Sequence, residues 1–318
     1  MIDSTLILTA IAPVFLIIGA GFTLRRTGVL TDAADASLMR LVVTLLYPAL
    51  MLDVVLGNPA LRTAGNLAWP PLVGLGTVAL GFAVAWAVGP LFGLRVGSGR
   101  RTFSFTNGIY NYGYIPIPIV LALFPGRETA GVLLVHNLGV EFAFWTIGLL
   151  IITGTFGKGV WRRLINPPVI ALLAALSINL AGFGESIPSP AGRAIQMLAG
   201  CAIPIGLLLG GATIADLIKD KGLFERPVVP CAACALRLLV LPILFLALAK
   251  LVPESMVELR RVMAVQAAMP AGLFPLVVAR HFGGDTRVAV QVIVTTTLVS
   301  VLTIPLWIQV AWWWLDLG

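Results

Sequence analysis

The chain has 318 residues, 59% of them apolar and only 11% charged, and carries a formal net charge of +7. That apolar share, with a strongly positive mean hydropathy, exceeds what the core of a water-soluble globular domain requires. The composition excludes a soluble protein and predicts an integral membrane one.

Runs of about 20 apolar residues, the length that crosses a bilayer core, occur ten times along the chain. They cover approximately 5–24, 38–57, 69–94, 102–124, 130–153, 165–183, 192–215, 227–251, 259–280 and 286–315. The first has Asp3 ahead of it and Arg25 and Arg26 behind it, the reverse of a cleavable signal peptide, so it is expected to stay in the mature protein. With the N-terminus outside, fourteen Lys and Arg residues fall in cytoplasmic turns and six in outer turns, which is the positive-inside bias. Both termini then lie outside a cell (inner) membrane. The basic balance reports topology, not a nucleic-acid partner.

Span 2 carries Pro48 and, late, Asp53. Span 4 contains Asn107-Gly-Ile-Tyr110-Asn111-Tyr-Gly113-Tyr-Ile-Pro116-Ile-Pro118, residues that a continuous membrane helix should avoid. Proline removes a backbone donor and clashes with the preceding turn, and glycine admits conformations that other residues resist. Asn107 and Asn111, four apart, share a face of any helical stretch. Their amides can donate to a carboxylate or accept around a cation without carrying charge. Tyr110, Tyr112 and Tyr114 suit either an organic substrate or interfacial anchoring.

Span 5 holds His136, Asn137 and Glu141, the last two on one face. Charges at membrane depth mark pathways or pairs. Glu141 is therefore either a proton carrier or the structural partner of Arg237 in span 8. Asp53, His136 and Asn137 join it as candidates for proton or ion coupling. Cys201, Cys231 and Cys234 lie in apolar segments, and the Cys231–Cys234 spacing is half a zinc site without its other half, so they are expected as buried packing residues and no metal site is expected.

Span 9 contains Gln266-Ala-Ala-Met-Pro270-Ala-Gly272-Leu-Phe-Pro275, a second interruption to match that of span 4. Thr295, Thr296 and Thr297 of span 10 either line the site or bond back to their own helix. The helix breaks are assigned to Gly113, Pro116, Pro118 and Pro275. Tyr110, Asn107, Asn111, Gln266, Pro270 and Gly272 are the candidate substrate-binding residues. Broken backbone at membrane depth survives only when buried in protein or lining a polar cavity, and paired breaks point to a transporter's binding site.

Three landmarks recur at a nearly constant offset: Pro48 and Pro204, Arg100-Arg101 and Arg260-Arg261, Glu128-Thr129 and Asp285-Thr286. They divide the chain into 1–153 and 165–318, joined by the polar connector Thr153-Gly-Thr-Phe-Gly-Lys-Gly159. Five spans per half is an odd number, so the second half enters from the opposite side. The sequence thus predicts an all-α integral membrane fold of ten transmembrane helices in two inverted five-helix repeats, with spans 4 and 9 broken near a shared point. There, helix N-termini would suit an anion.

Several stretches resemble the auxin efflux carrier family, which includes plant PIN transporters and bacterial malate or malonate permeases. They are Phe15-Leu-Ile-Ile-Gly-Ala-Gly-Phe-Thr-Leu-Arg25-Arg26-Thr-Gly28 with Leu46-Tyr-Pro48-Ala-Leu50, then Gln266 to Ala279, and Thr297 to Trp307. In span 4, Asn111 and Pro118 match the family pattern, while Pro116 stands where the family has glycine and Tyr110 where plant carriers have the crossing proline. The resemblance implies an elevator fold like that of the bile-acid sodium symporters, with crossed helices 4 and 9. Spans 1, 2, 6 and 7 would form a scaffold and spans 3, 4, 5, 8, 9 and 10 a transport domain. By matching position, Asn111 and the Pro270 region would hold a substrate carboxylate, and the scaffold would serve homodimerisation.

These readings converge on a secondary transporter for a small organic anion, auxin-like or malate-like, with proton coupling as an added expectation. No cofactor is expected, and no Walker A loop is present to use nucleotide. A sodium-coupled symporter and a passive channel are the alternatives. An enzyme is not expected, because no metal motif, paired carboxylates or activated nucleophile occurs.

Overall fold

In hydrocarbon each backbone amide must find its partner within the protein, so apolar runs of this length form helices. The computed structural model describes residues 3–155, 163–219 and 227–317, whose regular structure is helical. In chain order the helices are α1 (Ser4–Arg26), α2 (Asp32–Val55), α3 (Ala64–Phe92), α4 (Arg100–Gly108), α5 (Pro116–Leu123) and α6 (Glu128–Thr153). They continue as α7 (Pro167–Leu180), α8 (Ser189–Leu217), α9 (Val228–Lys250), α10 (Val257–Ala267), α11 (Phe274–His281) and α12 (Thr286–Trp314). Seven are long and apolar enough to cross a membrane: α1, α2, α3, α6, α8, α9 and α12. Part of the Thr153–Gly159 connector, with Lys158, Arg162, Lys221 and Arg226, lies outside the described residues.

Local chemistry starts several of these helices. The carboxylates of Asp3 and Asp285 accept from the amides of Thr5 and Val288, and the Asn166 side chain accepts from Val169 N, each at 2.9–3.1 Å. Such caps satisfy donors that the first turn leaves unpaired. Inside α2, α6 and α9 the winding loosens into one π turn each, at Val42–Leu46, Phe144–Gly148 and Leu236–Val240. Turns of this kind are rare and often lie at functional sites.

α1 runs along α8, and α2 packs on α7 and α8. Small residues let the first pair meet backbone to backbone: a Cβ on Gly211 would fall 1.9 Å from the Ile18 carbonyl oxygen. At the end of α1, the Arg25 side chain is buried and pairs with Asp32 and Asp35 of α2 and with Asp216 of α8. One cation ties three helices. Among the described residues these three carboxylates are also the acidic groups close enough together for a metal ion, but the guanidinium already engages all of them.

α3 runs along α6 and α4, while α9 packs on α10 and α12. Here too a glycine sets the approach, since a Cβ on Gly139 would lie 1.7 Å from the Pro71 carbonyl oxygen. The cysteines depart from the sequence reading. Cys201 and Cys231 are exposed, on the outer faces of their helices, while Cys234 is half-buried beside Thr295 of α12.

Candidate functional site

The chain between α4 and α5 meets the chain between α10 and α11, and the two pair backbone to backbone at one point, the crossing of the two interruptions. Asn111 N–H donates to the Pro270 carbonyl at 2.7 Å, and Gly272 N–H to the Ile109 carbonyl at 3.4 Å, which makes a short antiparallel bridge of Tyr110 with Ala271. Backbone groups freed by one interruption are thus satisfied by the other, as a buried position demands. Gly272 permits the crossing, because a Cβ there would press within 3.3 Å of the Tyr110 carbonyl oxygen.

Gly113 lies in the first gap, but the prolines assigned as breakers do a different job. Pro116 and Pro118 sit in the first turn of α5, and Pro275 in that of α11. In a first turn the missing N–H costs no helical bond and the fixed φ is already helical. They start the second half-helices, whereas the first halves end earlier, at Gly108 and Ala267.

Polar side chains from the first interruption, α6 and α10 gather on the crossing. Asn111 is buried, and its side-chain oxygen accepts from Ile115 N at 3.4 Å. Asn137 of α6 reaches both interruptions: its amide donates to the Tyr112 carbonyl at 2.7 Å, and its oxygen accepts from Gln266 Nε2 at 3.3 Å. Glu141, one turn further, accepts from the Tyr112 hydroxyl at 2.7 Å and from Trp145 Nε1 at 3.0 Å. A narrow cleft of about 40 Å³ opens beside them, lined by Tyr112, Asn137 and Glu141, with Tyr47 of α2 and Asn166 at the start of α7 across from them.

Not every candidate reaches that cleft. Asn107 and Gln266 are buried behind it; neither amide atom of Asn107 has a partner among the described residues, nor does Gln266 Oε1. Tyr110 is fully buried, its hydroxyl 2.9 Å from Thr77 Oγ1 and its ring stacked on His136. Thr295 and Thr296 donate back to the Gln291 and Val292 carbonyls, although Thr296 Oγ1 also accepts from Ala271 N at 3.3 Å and so props the crossing.

One candidate charge lies elsewhere, and one alternative pairing is corrected. Asp53 stands apart from the crossing, near the end of α2, where it pairs with Arg127 at 2.9 Å. The Glu141–Arg237 pair does not form. Glu141 meets Tyr112 and Trp145, while the Arg237 guanidinium lies over the rings of Tyr110 and Phe245 at 5.5 and 5.1 Å.

Tyr47, Trp145 and Asn166 escaped the sequence reading. Tyr47 lies beside Pro48, Trp145 is four residues after Glu141, and each is at or inside a π turn. The i, i+4 spacing from Glu141 to Trp145 was the available signal. A larger groove of about 470 Å³ lies between α3, α9 and α10, but Thr77 is its one polar lining residue and exposed Trp69 and Leu251 form its rim. It has the character of a lipid-facing surface and lacks the chemistry of the smaller cleft.

A bundle of seven long apolar helices, with two interrupted segments paired in a buried polar centre, is that of a multi-pass membrane protein and has the form expected of a transporter. The profile of the family described as "Membrane transport protein" matches residues 6–159 and again 155–308, nearly the whole chain. The chain belongs to this family, that of the auxin efflux carriers and their relatives, whose members are transporters and not enzymes. A curated relative from Methanothermobacter thermautotrophicus, described as an uncharacterized transporter, is 24% identical over 299 residues, covering 92% of this chain and 95% of that protein.

Proposed function

We propose that this protein is a secondary carrier for a small organic anion, a carboxylate of auxin-like or malate-like chemistry, working by alternating access in a cell membrane. The observation that carries the reading is the crossing itself, where two interrupted helices bond through Asn111 and Pro270 beside a polar cleft. With its oxygen engaged by Ile115 N–H, Asn111 keeps its NH₂ group as a donor, which suits a carboxylate and repels no charge.

The packing supports a division into two bodies. α1, α2, α7 and α8 make their main contacts with one another and fit a scaffold; the other helices fit a transport domain that slides against it. The cleft lies on that boundary, with Tyr47 and Asn166 on the scaffold side. At about 40 Å³ it is a narrow space for a few waters, and an organic acid is expected to enter when the two bodies separate. The repeat of helix order, from α1–α6 to α7–α12, supports inverted halves at 1–153 and 165–318, and the positive-inside bias favours both termini outside.

Glu141 fits a proton-coupling role, because the crossing residue Tyr112 donates directly to it and any change in its charge is felt at the substrate site. Glu141→Gln should flatten the pH dependence of uptake into proteoliposomes, and an unaltered profile would remove Glu141 from coupling. Sodium coupling is the second reading, favoured by the unpartnered oxygens of Asn107 and Gln266 near the crossing. A thermal-shift screen of purified protein against malate, malonate and indole-3-acetate, in sodium and in potassium, tests the main proposal. A ligand that binds the folded state raises its melting temperature. Stabilisation by an acid in both salts supports an anion carrier without sodium; stabilisation only in sodium supports the second reading; none from any acid overturns the substrate class.

A further inference from the structure

We propose that Arg237 is a fixed internal cation behind the crossing, a positioning residue that makes the carrier prefer anionic over neutral substrates. The inference rests on the anion-carrier reading above and deepens it. Arg237 lies in the π turn of α9, is 0% exposed, and none of its three side-chain nitrogens has a hydrogen-bond partner among the described residues. Its surroundings are two aromatic faces: the guanidinium stands over Tyr110 and Phe245, whose rings meet edge to face at 5.8 Å.

An arginine in such a place is unusual on two counts. Burying a charge is costly unless it is paired and hydrogen-bonded, and arginine cannot escape by shedding its proton. Cation–π contacts return part of that cost, but they leave the charge itself unneutralised. Such a charge projects a positive potential into its surroundings, and low polarisability lets that potential reach further than it would in water.

The residue on which the potential falls is defined. Tyr110 is the bridging residue of the crossing, its backbone paired with Ala271, and Asn111 follows it directly. A tyrosine ring thus separates the guanidinium from the backbone that the proposed carboxylate approaches. No contact between Arg237 and substrate is required; the charge acts through the crossing. On the cleft side the one ionisable carboxyl group is Glu141, and its two oxygens are taken up by Tyr112 and Trp145. Among the described residues Arg237 is a cation fixed behind the crossing, while Arg163 lies on the other side of the cleft over the Trp145 ring.

The test uses full-length protein and three pairs of probes, each an acid beside its uncharged amide: malate and malamide, malonate and malonamide, indole-3-acetate and indole-3-acetamide. Affinities are measured for wild type and Arg237→Met. The acid-to-amide preference is expected to fall about tenfold, the size of effect that one charge exerts over about 10 Å at an effective dielectric of about 20. The melting temperature without ligand should hold or rise, because an apolar side chain replaces a buried unpaired charge. Should Arg237→Met fail to fold, Arg237→Gln, neutral and hydrogen-bonding, takes its place in the same measurement. Wild type that binds an acid, with an unchanged preference in the neutral variant, overturns the inference and leaves the carrier reading standing. Equal weakening of acid and amide also overturns it, since that is what lost packing would do. Wild type that binds no acid of the panel overturns the reading beneath it, and the inference falls too.

Discussion

Glu141 and Arg237 are opposite charges at membrane depth that meet the same crossing two residues apart, one at Tyr112 and the other at Tyr110. Their surroundings are not alike. Each oxygen of Glu141 accepts a hydrogen bond, from a hydroxyl and from an indole N–H, and its side chain borders the cleft. Arg237 has two ring faces and no hydrogen bond among the described residues, and it is sealed in the core. A charge with specific partners on a boundary suits a group whose state changes during a cycle. A charge walled in by aromatic rings suits one that stays constant. The two interruptions show that a transporter's polar centre can hold both kinds beside one short backbone bridge.

The largest effect should come from removing the partnered charge. Glu141→Leu leaves the Tyr112 hydroxyl and the Trp145 indole N–H without acceptors, and each stranded buried donor costs about 1–3 kcal/mol. We expect a loss of about 2–5 kcal/mol of stability, read as a clear fall in the thermal unfolding midpoint in detergent. Arg237→Met, which strands no partner, should show no such fall. If the two substitutions destabilise equally, the contrast drawn here is wrong.

Next in size is Asn111→Ala. A charge-assisted hydrogen bond to a carboxylate contributes about 1.5–3 kcal/mol, so affinity for a bound acid should drop by roughly 10- to 150-fold while the protein stays folded. The backbone link from Asn111 N–H to Pro270 survives the substitution, which keeps the crossing in place. Near-normal affinity for an acid that binds wild type would move the substrate carboxylate away from this residue.

Much of this arrangement was legible in the sequence and some of it was not, for physical reasons. Composition and span length announce a membrane bundle because lipid imposes them on every residue of a span. The two interruptions were legible because Gly113, Pro116, Pro270 and Pro275 cluster in two short stretches, yet Pro116 and Pro275 proved to open α5 and α11, and Pro270 alone of the three prolines lies in a gap. Pairings across spans were hidden. The sequence left Glu141 as either a proton carrier or the partner of Arg237, and only the packing of α6 and α9 shows the two charges meeting different residues of the first interruption. Asp53 does lie late in its span, as hydropathy put it, but its partner Arg127, far along the chain, was hidden. The π turns that carry Trp145 and Arg237 leave no composition signal at all.

The smallest expected effect sharpens the comparison most finely. Tyr110→Phe keeps the ring beneath the Arg237 guanidinium and the bridge to Ala271, and removes only the hydroxyl that meets Thr77 at 2.9 Å. Phenylalanine offers the cation a similar ring face, so the shielding of the charge should persist. Thr77 remains bonded to the Gly74 carbonyl in its own helix, so its hydroxyl is not stranded by the change. The stability cost should therefore stay within about 1 kcal/mol, the net worth of one neutral hydrogen bond. The acid-to-amide preference should stay within about twofold of wild type, since no charge has moved. A collapse of that preference in Tyr110→Phe would mean that the hydroxyl, and not the charge behind it, selects the substrate.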